Sequence, residues 1–397
     1  MSLPGGLVLR HLEPSDLPAT QALLAERGDP SDAVDLALVV DDPSHGPDAC
    51  AVVVDGNRVV STATLLDEVL VLDDQPIPCG QVELVATDPA YEGRGLVRAL
   101  MGWAHDRSRA CGHMAQVMIG IPFFYRQFGY AYSIPMRRWR ALASRPPLDA
   151  GVTVRRATLA DVPALQALEA HAQAGCRLRM AHTEPCWRWV VQREGSELWV
   201  AERDGSVVAS ARVVPPAEGA ALGELAGTDA GAALTLVART AAPDLRVQER
   251  PGTVAGDALE HHLAAADDKA DWYYARIERL GPLLTHLAPM LTARLAAAGL
   301  ADRDHEVLLS SWRSHVRLRI GPDGVHDLVE GGPEQRPVSK GGSGIPPDGL
   351  APLLFGPHGA LGLEQLLPDC HLGRQRDLMA ALFPPIDADL ATFYLPV

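Results

Sequence analysis

The stretch "VELVATDPAYEGRGLVRALMGWAHDRSRACG", residues 82–112, decides the local fold. Its first residues are mostly apolar and predict a strand that ends at Pro89. A turn follows through residues 92–95, and a helix is predicted over Leu96–Cys111, with Leu96, Leu100, Trp103 and Ala104 on one face. Backbone N–H groups of such a turn and of the helix N-terminus converge on one point, which suits an anion such as a phosphate.

Charge is distributed unevenly around this stretch. The 397 residues carry 35 basic and 50 acidic side chains, and the net charge of −15 excludes a nucleic-acid binder with a uniformly basic surface. Residues 1–92 hold 17 acidic residues against 3 arginines, whereas residues 93–145 hold 9 arginines against one acid. The four arginines that follow the turn favour a phosphate there: Arg94, Arg98, Arg107 and Arg109.

The acidic first part of the chain has two interpretations. A negatively lined cleft would attract polycationic amines and raise their association rate. Solubility is the alternative, because acidic surfaces are common. Four aspartates are candidates for such a cleft: Asp32, Asp35, Asp41 and Asp42.

Composition and length bound the class of protein. Hydrophobic residues make up 47% and charged residues 21%, which is typical of a globular protein. The length predicts two to four domains, at about 100–200 residues each.

No apolar run reaches about 18 residues, so no transmembrane helix is expected, and the N-terminus does not resemble a signal peptide. Six scattered cysteines without metal-ligand spacing predict no metal site and a cytoplasmic protein with reduced thiols.

The opening pattern recurs in the middle of the chain. "VTVRRATLADVPALQALEA" from Val152 echoes "LVLRHLEPSDLPATQALLA" from Leu7, and a hairpin predicted at 51–65 recurs at 198–213. An internal repeat of this kind predicts a duplicated α/β unit. The second copy lacks a counterpart of the turn at 92–95 and is predicted to have no active centre. Shorter strands are expected at 68–72 and 81–87, and a docked, apolar, strand-like end at 390–397.

Two motifs resemble those of a known family. "VATDPAYEGRGLVRAL", from Val85, resembles motif A of the GNAT acetyltransferases, and "IPFFYRQFGY", from Ile121, resembles the later family signature with Tyr before x-x-Phe-Gly-Tyr. Two positions depart from motif A: Glu92 stands where the family favours Gln or Arg, and Val97 where it favours a small residue.

With the repeat, the whole chain resembles the enhanced-intracellular-survival (Eis) type of acetyltransferase. The resemblance implies an α/β chain with a catalytic GNAT domain at 1–147, a degenerate GNAT-like domain at 148–272 and a sterol-carrier-protein-like α/β domain at 273–397. Both GNAT-fold domains would contain a mixed, mostly antiparallel sheet flanked by helices. The expected assembly is a homo-oligomer, a hexamer if the chain is Eis-like, with no nucleic-acid or membrane partner.

The same resemblance implies acetyl-CoA as co-substrate, in a V opened by a bulge in the strand that ends at Pro89. Backbone groups of three residues would face the pantetheine and the thioester carbonyl: Val85, Ala86 and Thr87. N–H groups of five others would cradle the pyrophosphate: Gly93, Arg94, Gly95, Leu96 and Val97. An N–H aimed at the carbonyl would stabilise the developing oxyanion.

Two proton-transfer groups are implied as well. Tyr125 matches the general acid that protonates the thiolate of CoA, although an aromatic residue of the core is the alternative. The C-terminal carboxylate of Val397 matches the general base, although a tail packed as an edge strand is the alternative.

The predicted activity is N-acetylation of primary amines on a small polycationic substrate such as an aminoglycoside, a polyamine or a lysine-like amine. One alternative is an acyltransferase of natural-product metabolism that uses another acyl-CoA. Another is a lipid-binding protein with relic GNAT domains.

Overall fold

The structure is a computed structural model that describes residues 1–216, 219–266 and 270–395. The described strands are, in chain order, β1 (Val8–His11), β2 (Cys50–Asp55), β3 (Arg58–Leu72), β4 (Gln75–Thr87), β5 (Ala115–Met118), β6 (Ala131–Pro135), β7 (Trp139–Ala141), β8 (Thr153–Arg156), β9 (Leu178–Met180), β10 (Glu197–Arg203), β11 (Ser206–Val214), β12 (Ala221–Gly227), β13 (Arg246–Gln248), β14 (Trp272–Ile277), β15 (His305–Ser310), β16 (His315–Gly321), β17 (Gly324–Gly331), β18 (Ser343–Gly344) and β19 (Ala388–Leu390).

The described helices pack on the faces of the sheets. They are α1 (Leu17–Arg27), α2 (Ser31–Asp41), α3 (Leu96–Ala110), α4 (Val162–Gln173), α5 (Glu184–Gln192), α6 (Ala230–Thr240), α7 (Val254–Leu259), α8 (Leu280–His286), α9 (Ala288–Ala297), α10 (Leu350–Phe355), α11 (Gly359–Leu366) and α12 (Arg376–Leu382). Among these described helices, none is both long and apolar enough to cross a membrane.

The strands form three sheets. The first has the order β1-β2-β3-β4-β5-β14-β6, with β9 paired to β3 and β19 paired to β9. Its neighbours are antiparallel except for β4–β5 and β9–β19. The second sheet has the order β7-β13-β12-β11-β10-β8, and the third β17-β16-β15-β18. The predicted α/β class, with mixed and mostly antiparallel sheets, is confirmed.

The sheets exchange strands along the chain. Strand β14 lies inside the first sheet, between β5 and β6, although it follows the whole second sheet in sequence. Strand β7 precedes residue 147 yet pairs with β13 in the second sheet. The domain boundaries expected at 147/148 and 272/273 stay a prediction.

One hairpin is longer than the sequence predicted. Instead of separate strands at 68–72 and 81–87, β3 pairs with β4 along residues 61–87, through a turn at Asp73 and Asp74 with φ of 44° and 66°. Pro76 and Pro78 lie within β4, although proline lacks the backbone N–H that a central strand needs. They are tolerated because the pairing of β4 with β5 on the other side begins only at Cys79, so neither proline interrupts two ladders at once.

The end of the chain also differs from the prediction. The last strand is β19, residues 388–390, which pairs in parallel with β9. Residues 391–395 follow without a strand, so the strand-like run expected at 390–397 is wrong for that part. Pro396 and Val397 lie outside the described residues.

Helix α3 covers one face of the first sheet, as its periodicity predicted. Its buried residues recur at intervals of three or four along one face: Leu96, Leu100, Met101, Ala104 and Ser108. Trp103, also predicted on this face, is half-buried. This packing fixes the helix N-terminus beside the end of β4, where the site lies.

Candidate functional site

The site begins at a bulge between β3 and β4. Thr62 pairs with Ala86, but Thr64 pairs with Glu83. Two steps along β3 therefore correspond to three steps along β4, and the register shifts by one residue. Within the bulge Leu84 has a φ of 52°, a conformation uncommon for a residue other than glycine. A bulge leaves local backbone groups without a ladder partner and re-aims the strand.

Strands β4 and β5 then separate. They pair in parallel only through Cys79–Gln81, opposite residues 115–117. The bulged end of β4 therefore diverges from the chain that follows β5, and the sheet opens into a V, as the family resemblance implied.

One arm of this opening is a cavity of about 600 Å³, which we call the α3 cleft. It is lined by the end of β4, the turn before α3, the first turn of that helix and the aromatic segment at 121–128. Seven of the eight residues predicted to contact acetyl-CoA line it: Val85, Ala86, Thr87, Gly93, Gly95, Leu96 and Val97. Their role in binding stays a prediction.

The turn at the mouth of the α3 cleft has the geometry of an anion cradle. Gly93 and Gly95 have φ of 74° and 79°, and a Cβ added to either would meet no atom within 4 Å. Helix α3 starts at Leu96, so its N-terminal N–H groups and the positive end of its dipole lie at the same place. The open space beside both glycines allows a ligand to approach the backbone closely.

Arginines and one glutamate surround this turn. Arg98 lines the cleft and donates to Gln127 Oε1 at 2.7 Å. Arg94, the eighth predicted residue, instead stacks on Tyr91, with 4.6 Å from the guanidinium carbon to the ring centroid. The unusual Glu92 forms an ion pair with Arg27, with 2.8 Å between Nη2 and Oε1, and this pairing offsets its negative charge beside an anion.

Tyr125 lies on the wall of the α3 cleft and is 5% exposed. It belongs to a short 3₁₀ helix over Phe124–Phe128. Its ring packs so close to Gly120 that a Cβ there would lie 2.4 Å from the ring. Burial, with a smaller contribution from the charge of Glu83, raises the pKa of Tyr125 to about 12. The phenol therefore keeps its proton across the physiological range.

The other arm of the opening is a second cavity of about 580 Å³, which we call the acidic pocket. Among the described residues, three contribute carboxyl groups to its lining: Asp32, Glu83 and Asp271. Apolar and aromatic walls come from Leu24, Ile119, Tyr132, Met136, Trp272, Tyr394 and Leu395 among others. Because Val85 and Ala86 line both cavities, the two meet at the bulged strand.

Glu83 is the buried carboxyl of the acidic pocket. Gln81 Nε2 donates a hydrogen bond to its Oε1. Burial raises the pKa of Glu83 to about 8, against the lowering effects of this hydrogen bond and of Arg193. Glu83 was not among the predicted site residues, although a carboxylate within the apolar strand "VELVAT" was a usable signal.

The far wall of the acidic pocket is the end of the described chain. Tyr394 donates to Asp32 Oδ1 at 2.7 Å, and Arg193 stacks on its ring at 4.2 Å. Leu395, the last described residue, lines the pocket. The predicted base, the carboxylate of Val397, is two residues further and outside the described residues.

Of the four aspartates predicted for a cationic cleft, Asp32 lines the pocket. Two others form ion pairs: Asp35 with Arg193 at 2.8 Å, and Asp42 with Arg188 at 2.7 Å. Asp41 is an exposed residue at the end of α2. The carboxyl lining of the pocket therefore comes from Asp32, which was predicted, and from Glu83 and Asp271, which were not.

Comparisons with known proteins agree with this geometry. Residues 30–133 match the sequence profile of the family described as acetyltransferase (GNAT) domain. No curated protein sequence matches the chain.

Solved structures share the fold over almost the whole chain. A GCN5-related N-acetyltransferase from Anabaena variabilis is 13% identical, with a TM-score of 0.70 over 97% of this chain and 99% of that one. A second GCN5-related N-acetyltransferase, from Kribbella flavida, is 18% identical, with a TM-score of 0.63 over 98% and 100%. Eis1 from Mycobacterium abscessus is 14% identical, with a TM-score of 0.62 over 97% and 99%. Residues 30–133 therefore match a GNAT acetyltransferase domain, and the chain shares its fold with solved N-acetyltransferases over nearly its full length.

Proposed function

We propose that the chain transfers an acetyl group from acetyl-CoA to a primary amine of a small polycationic substrate. The observation that carries this proposal is the meeting of two cavities at Val85 and Ala86. One cavity has an anion cradle at a helix N-terminus, and the other has a carboxyl lining. An anionic donor and a cationic acceptor would then approach the same strand from opposite sides.

The α3 cleft suits a CoA thioester. Open space beside Gly93 and Gly95 would admit a pyrophosphate to within hydrogen-bond reach of the backbone. The end of β4, residues 85–87, would lie along the pantetheine, where backbone groups released by the bulge can bind its amides. The acyl carbonyl would then lie near Val85 and Ala86, at the junction with the acidic pocket.

Tyr125 is the proposed general acid. In the transfer the amine nitrogen attacks the thioester carbonyl carbon, the carbon–sulfur bond breaks, and the sulfur leaves as a thiolate that takes the Tyr125 proton. Its raised pKa of about 12 keeps the phenol protonated up to the moment at which the thiolate forms beside it and accepts the proton.

Two carboxyl groups are proposed to accept the amine proton. Glu83 lies in the acidic pocket, and with a pKa of about 8 it can take up a proton near neutral pH. The carboxylate of Val397 is the other, supported by Leu395 and Tyr394 on the pocket wall two or three residues before it. Two variants distinguish these candidates: Glu83→Gln, and a chain with one residue added after Val397. Only the change at the true base should remove the acidic limb of the pH–rate profile.

The substrate is tested with a panel of amines. The purified chain is incubated with acetyl-CoA and spermidine, an aminoglycoside, free lysine or a monoamine, and thiol release is followed with a colorimetric reagent. Polyamines and aminoglycosides should react fastest, with a KM that rises with salt because the attraction of the acidic pocket is screened. No release with any amine, together with no acetyl-CoA binding by calorimetry, would refute the proposal. Longer acyl-CoA donors in the same assay decide between acetyl transfer and a pathway-specific acyl transfer.

We further propose that the chain is of the Eis type. The fold shared with Eis1 supports a degenerate GNAT-like domain at 148–272 and a sterol-carrier-like domain at 273–397. A homo-oligomer, with six chains as the Eis-type expectation, would be measured by light scattering on the eluting protein. A monomer at micromolar concentration would contradict that assembly.

A further inference from the structure

The second sheet repeats the bulge of the first. In β11 and β12, Ser210 faces Ala226, but Arg212 faces Gly223. This is the same register shift that Thr62 and Thr64 make with Ala86 and Glu83. The bulged residues also match, because Glu224 and Leu84 both have a φ of 52°.

The second sheet also opens in the same way. Strand β12 pairs in parallel with β13 only at Ala221 and Leu222, and then continues past the end of that pairing. By register, Gly223 occupies the position that Glu83 has in the first sheet, and Glu224 that of Leu84. We call this opening, bounded by Arg212, Gly223 and Glu224, the second split.

The second split has no place for a CoA phosphate. Only residues 228–229 separate β12 from α6, whereas residues 88–95 separate β4 from α3. The N-terminus of α6 is already capped, because Asp229 accepts from Ala232 N at 2.8 Å. The Asp229 carboxylate is in turn paired with Arg203 at 2.6 Å. The anion position at this helix is therefore taken by the protein's own carboxylate.

The second split is filled by the chain's own C-terminal segment, residues 392–395. Arg212, which is fully buried, donates to the carbonyl oxygens of Thr392 at 3.0 Å and Phe393 at 2.8 Å. Leu395 packs so tightly on Gly223 that an added Cβ would lie 2.5 Å from its Cδ1. Three residues of one short segment thus make these contacts: the carbonyls of Thr392 and Phe393 accept from Arg212, and the side chain of Leu395 occupies the space that Gly223 leaves free.

The charge of Arg212 is balanced without using up its donors. Glu224 Oε1 accepts from Arg212 at 2.8 Å, and its other oxygen lies 3.1 Å from His182 Nε2. A buried guanidinium must be paired, and its remaining N–H groups need acceptors. The carbonyls of Thr392 and Phe393 accept from Nη1 and Nη2, respectively.

The same segment reaches the acidic pocket. Between the Arg212 contact at Phe393 and the Gly223 contact at Leu395 lies Tyr394, whose hydroxyl donates to Asp32 at 2.7 Å. The second split therefore contacts the residues before and after Tyr394, and Tyr394 lines the proposed amine site.

We propose that the second split is a receptor for the C-terminal segment, residues 392–395, and that Arg212 is a positioning residue that fixes this segment as a wall of the acidic pocket. The opening that binds the donor in the first sheet is thus used in the second sheet to bind part of the chain itself. The effect on catalysis rests on the proposed function, whereas the docking of the segment does not.

The first test changes the side-chain volume on each side of the contact between Gly223 and Leu395. Gly223→Val inserts a side chain where Leu395 packs, and Leu395→Ala removes that side chain. Hydrogen exchange followed by mass spectrometry should show at least tenfold faster exchange of the C-terminal peptide in Gly223→Val, and the double variant should regain most of the protection. Exchange within twofold of wild type in a folded Gly223→Val protein would overturn the proposal, as would a double variant no better protected than the single one.

The second test removes the backbone recognition. Arg212→Met should loosen the C-terminal peptide, and Arg212→Lys should do so less, because lysine keeps the charge beside Glu224. Arg203→Met is the matched control, since Arg203 lies in the same sheet and pairs with Asp229 without touching the segment. Equal loosening in the Arg203 and Arg212 variants would show a general effect on the sheet and refute a specific receptor.

Kinetics then connect docking with catalysis. Gly223→Val should raise the KM for the amine or lower kcat by tenfold or more, while the Kd for acetyl-CoA changes less than twofold, because the α3 cleft is untouched. An unchanged amine KM and kcat with a loosened segment would refute the positioning role. If the wild type transfers no acetyl group at all, the proposed function fails, and the exchange measurements still decide the receptor.

Discussion

Two buried carboxyl groups lie on the same face of the β3–β4 hairpin, since Glu83 faces Thr64 and Glu68 is four residues further along β3. Burial raises the pKa of each to about 8. Glu83 opens to the acidic pocket, whereas Glu68 is 3% exposed and does not line that pocket. Glu68 therefore contributes to stability and its pH dependence rather than to the chemistry.

The substitution Glu68→Gln should stabilise the protein above neutral pH. In wild type the folded state keeps the Glu68 proton up to about pH 8, while the unfolded state releases it near pH 4.5, so stability falls as pH rises between these values. Glutamine stays neutral, so the variant should be more stable at pH 8 by about 2 kcal/mol or more, because each tenfold change in proton affinity corresponds to about 1.4 kcal/mol. Urea unfolding at pH 5.5 and pH 8 measures this, with exposed Glu26→Gln as control. Parallel pH dependence in both variants would contradict it.

Removal of the Tyr125 hydroxyl should lower kcat with little effect on acetyl-CoA binding. Loss of a general acid costs about 10²–10⁴-fold in rate, so Tyr125→Phe should lose at least 100-fold in kcat. Tyr130→Phe is the control, because its hydroxyl is buried on Gln116 rather than in the cleft. A Tyr125→Phe enzyme with kcat within twofold of wild type and the same pH profile would leave the tyrosine as a core aromatic only.

Whether a site residue could be predicted from the sequence depended on how far along the chain it lies from the residues that it contacts. Gly93, Gly95 and Tyr125 lie within 33 residues and carry recognisable spacing, so a single window pointed to them. The acidic pocket joins Glu83 to Asp32 and Tyr394, and the latter two are 362 residues apart. No local pattern reveals such a contact, because it exists only after the sheets have packed.

Among the secondary-structure elements, α3 combines a structural end and a functional end. At its C-terminal side Gly112 has a φ of 76°, and at its N-terminal side Gly95 has a φ of 79°. A Cβ at either would meet no atom within 4 Å. The two glycines therefore present the same backbone demand, but only Gly95 lines the α3 cleft.

Because Gly95 and Gly112 share the same backbone conformation, substitutions at the two positions distinguish the effect of backbone strain from the effect of ligand binding. Gly95→Ala and Gly112→Ala should each cost about 1–2 kcal/mol of stability, because a left-handed conformation is strained for alanine. Only Gly95→Ala should weaken acetyl-CoA binding, by tenfold or more, since its methyl group would occupy the space proposed for the pyrophosphate. Calorimetric titration below the unfolding temperature measures both Kd values. Equal affinities in the two variants would remove this turn from the cofactor site.

The elements also show why a strand was missed while a helix was found. The apolar periodicity of α3 matches one buried face over 15 residues, so its bounds followed from the sequence within one residue. Strand β4 begins with Gln75-Pro76-Ile77-Pro78, and two prolines argue against a central strand. Their tolerance depends on where β5 begins to pair, which is a property of the sheet and not of the segment.

For the molecule as a whole, a buried ion cluster joins the second sheet to the last strand of the first. Arg250 follows β13 and lies 2.5 Å from Glu169 of α4 and 3.0 Å from Asp389 of β19. All three side chains are at most 3% exposed. Since β19 immediately precedes the C-terminal segment, this cluster sets where that segment starts, and Arg212 fixes where it continues.

The substitution Arg250→Met should therefore be among the most destabilising single changes away from the site. It leaves Glu169 and Asp389 as buried carboxylates without their shared cation, and breaking such a pair costs about 3–5 kcal/mol. Arg317→Met is the comparison, because Arg317 and Glu306 form an exposed ion pair that should contribute about 0–1 kcal/mol. A triple variant with Arg250→Met, Glu169→Leu and Asp389→Leu removes the three charges of this cluster and should recover much of the loss. Denaturant unfolding at pH 7 measures the free energy of unfolding of each variant. A loss below about 1 kcal/mol for Arg250→Met would mean that apolar contacts hold the junction between the two sheets. The position of the C-terminal segment would then depend on the second split alone.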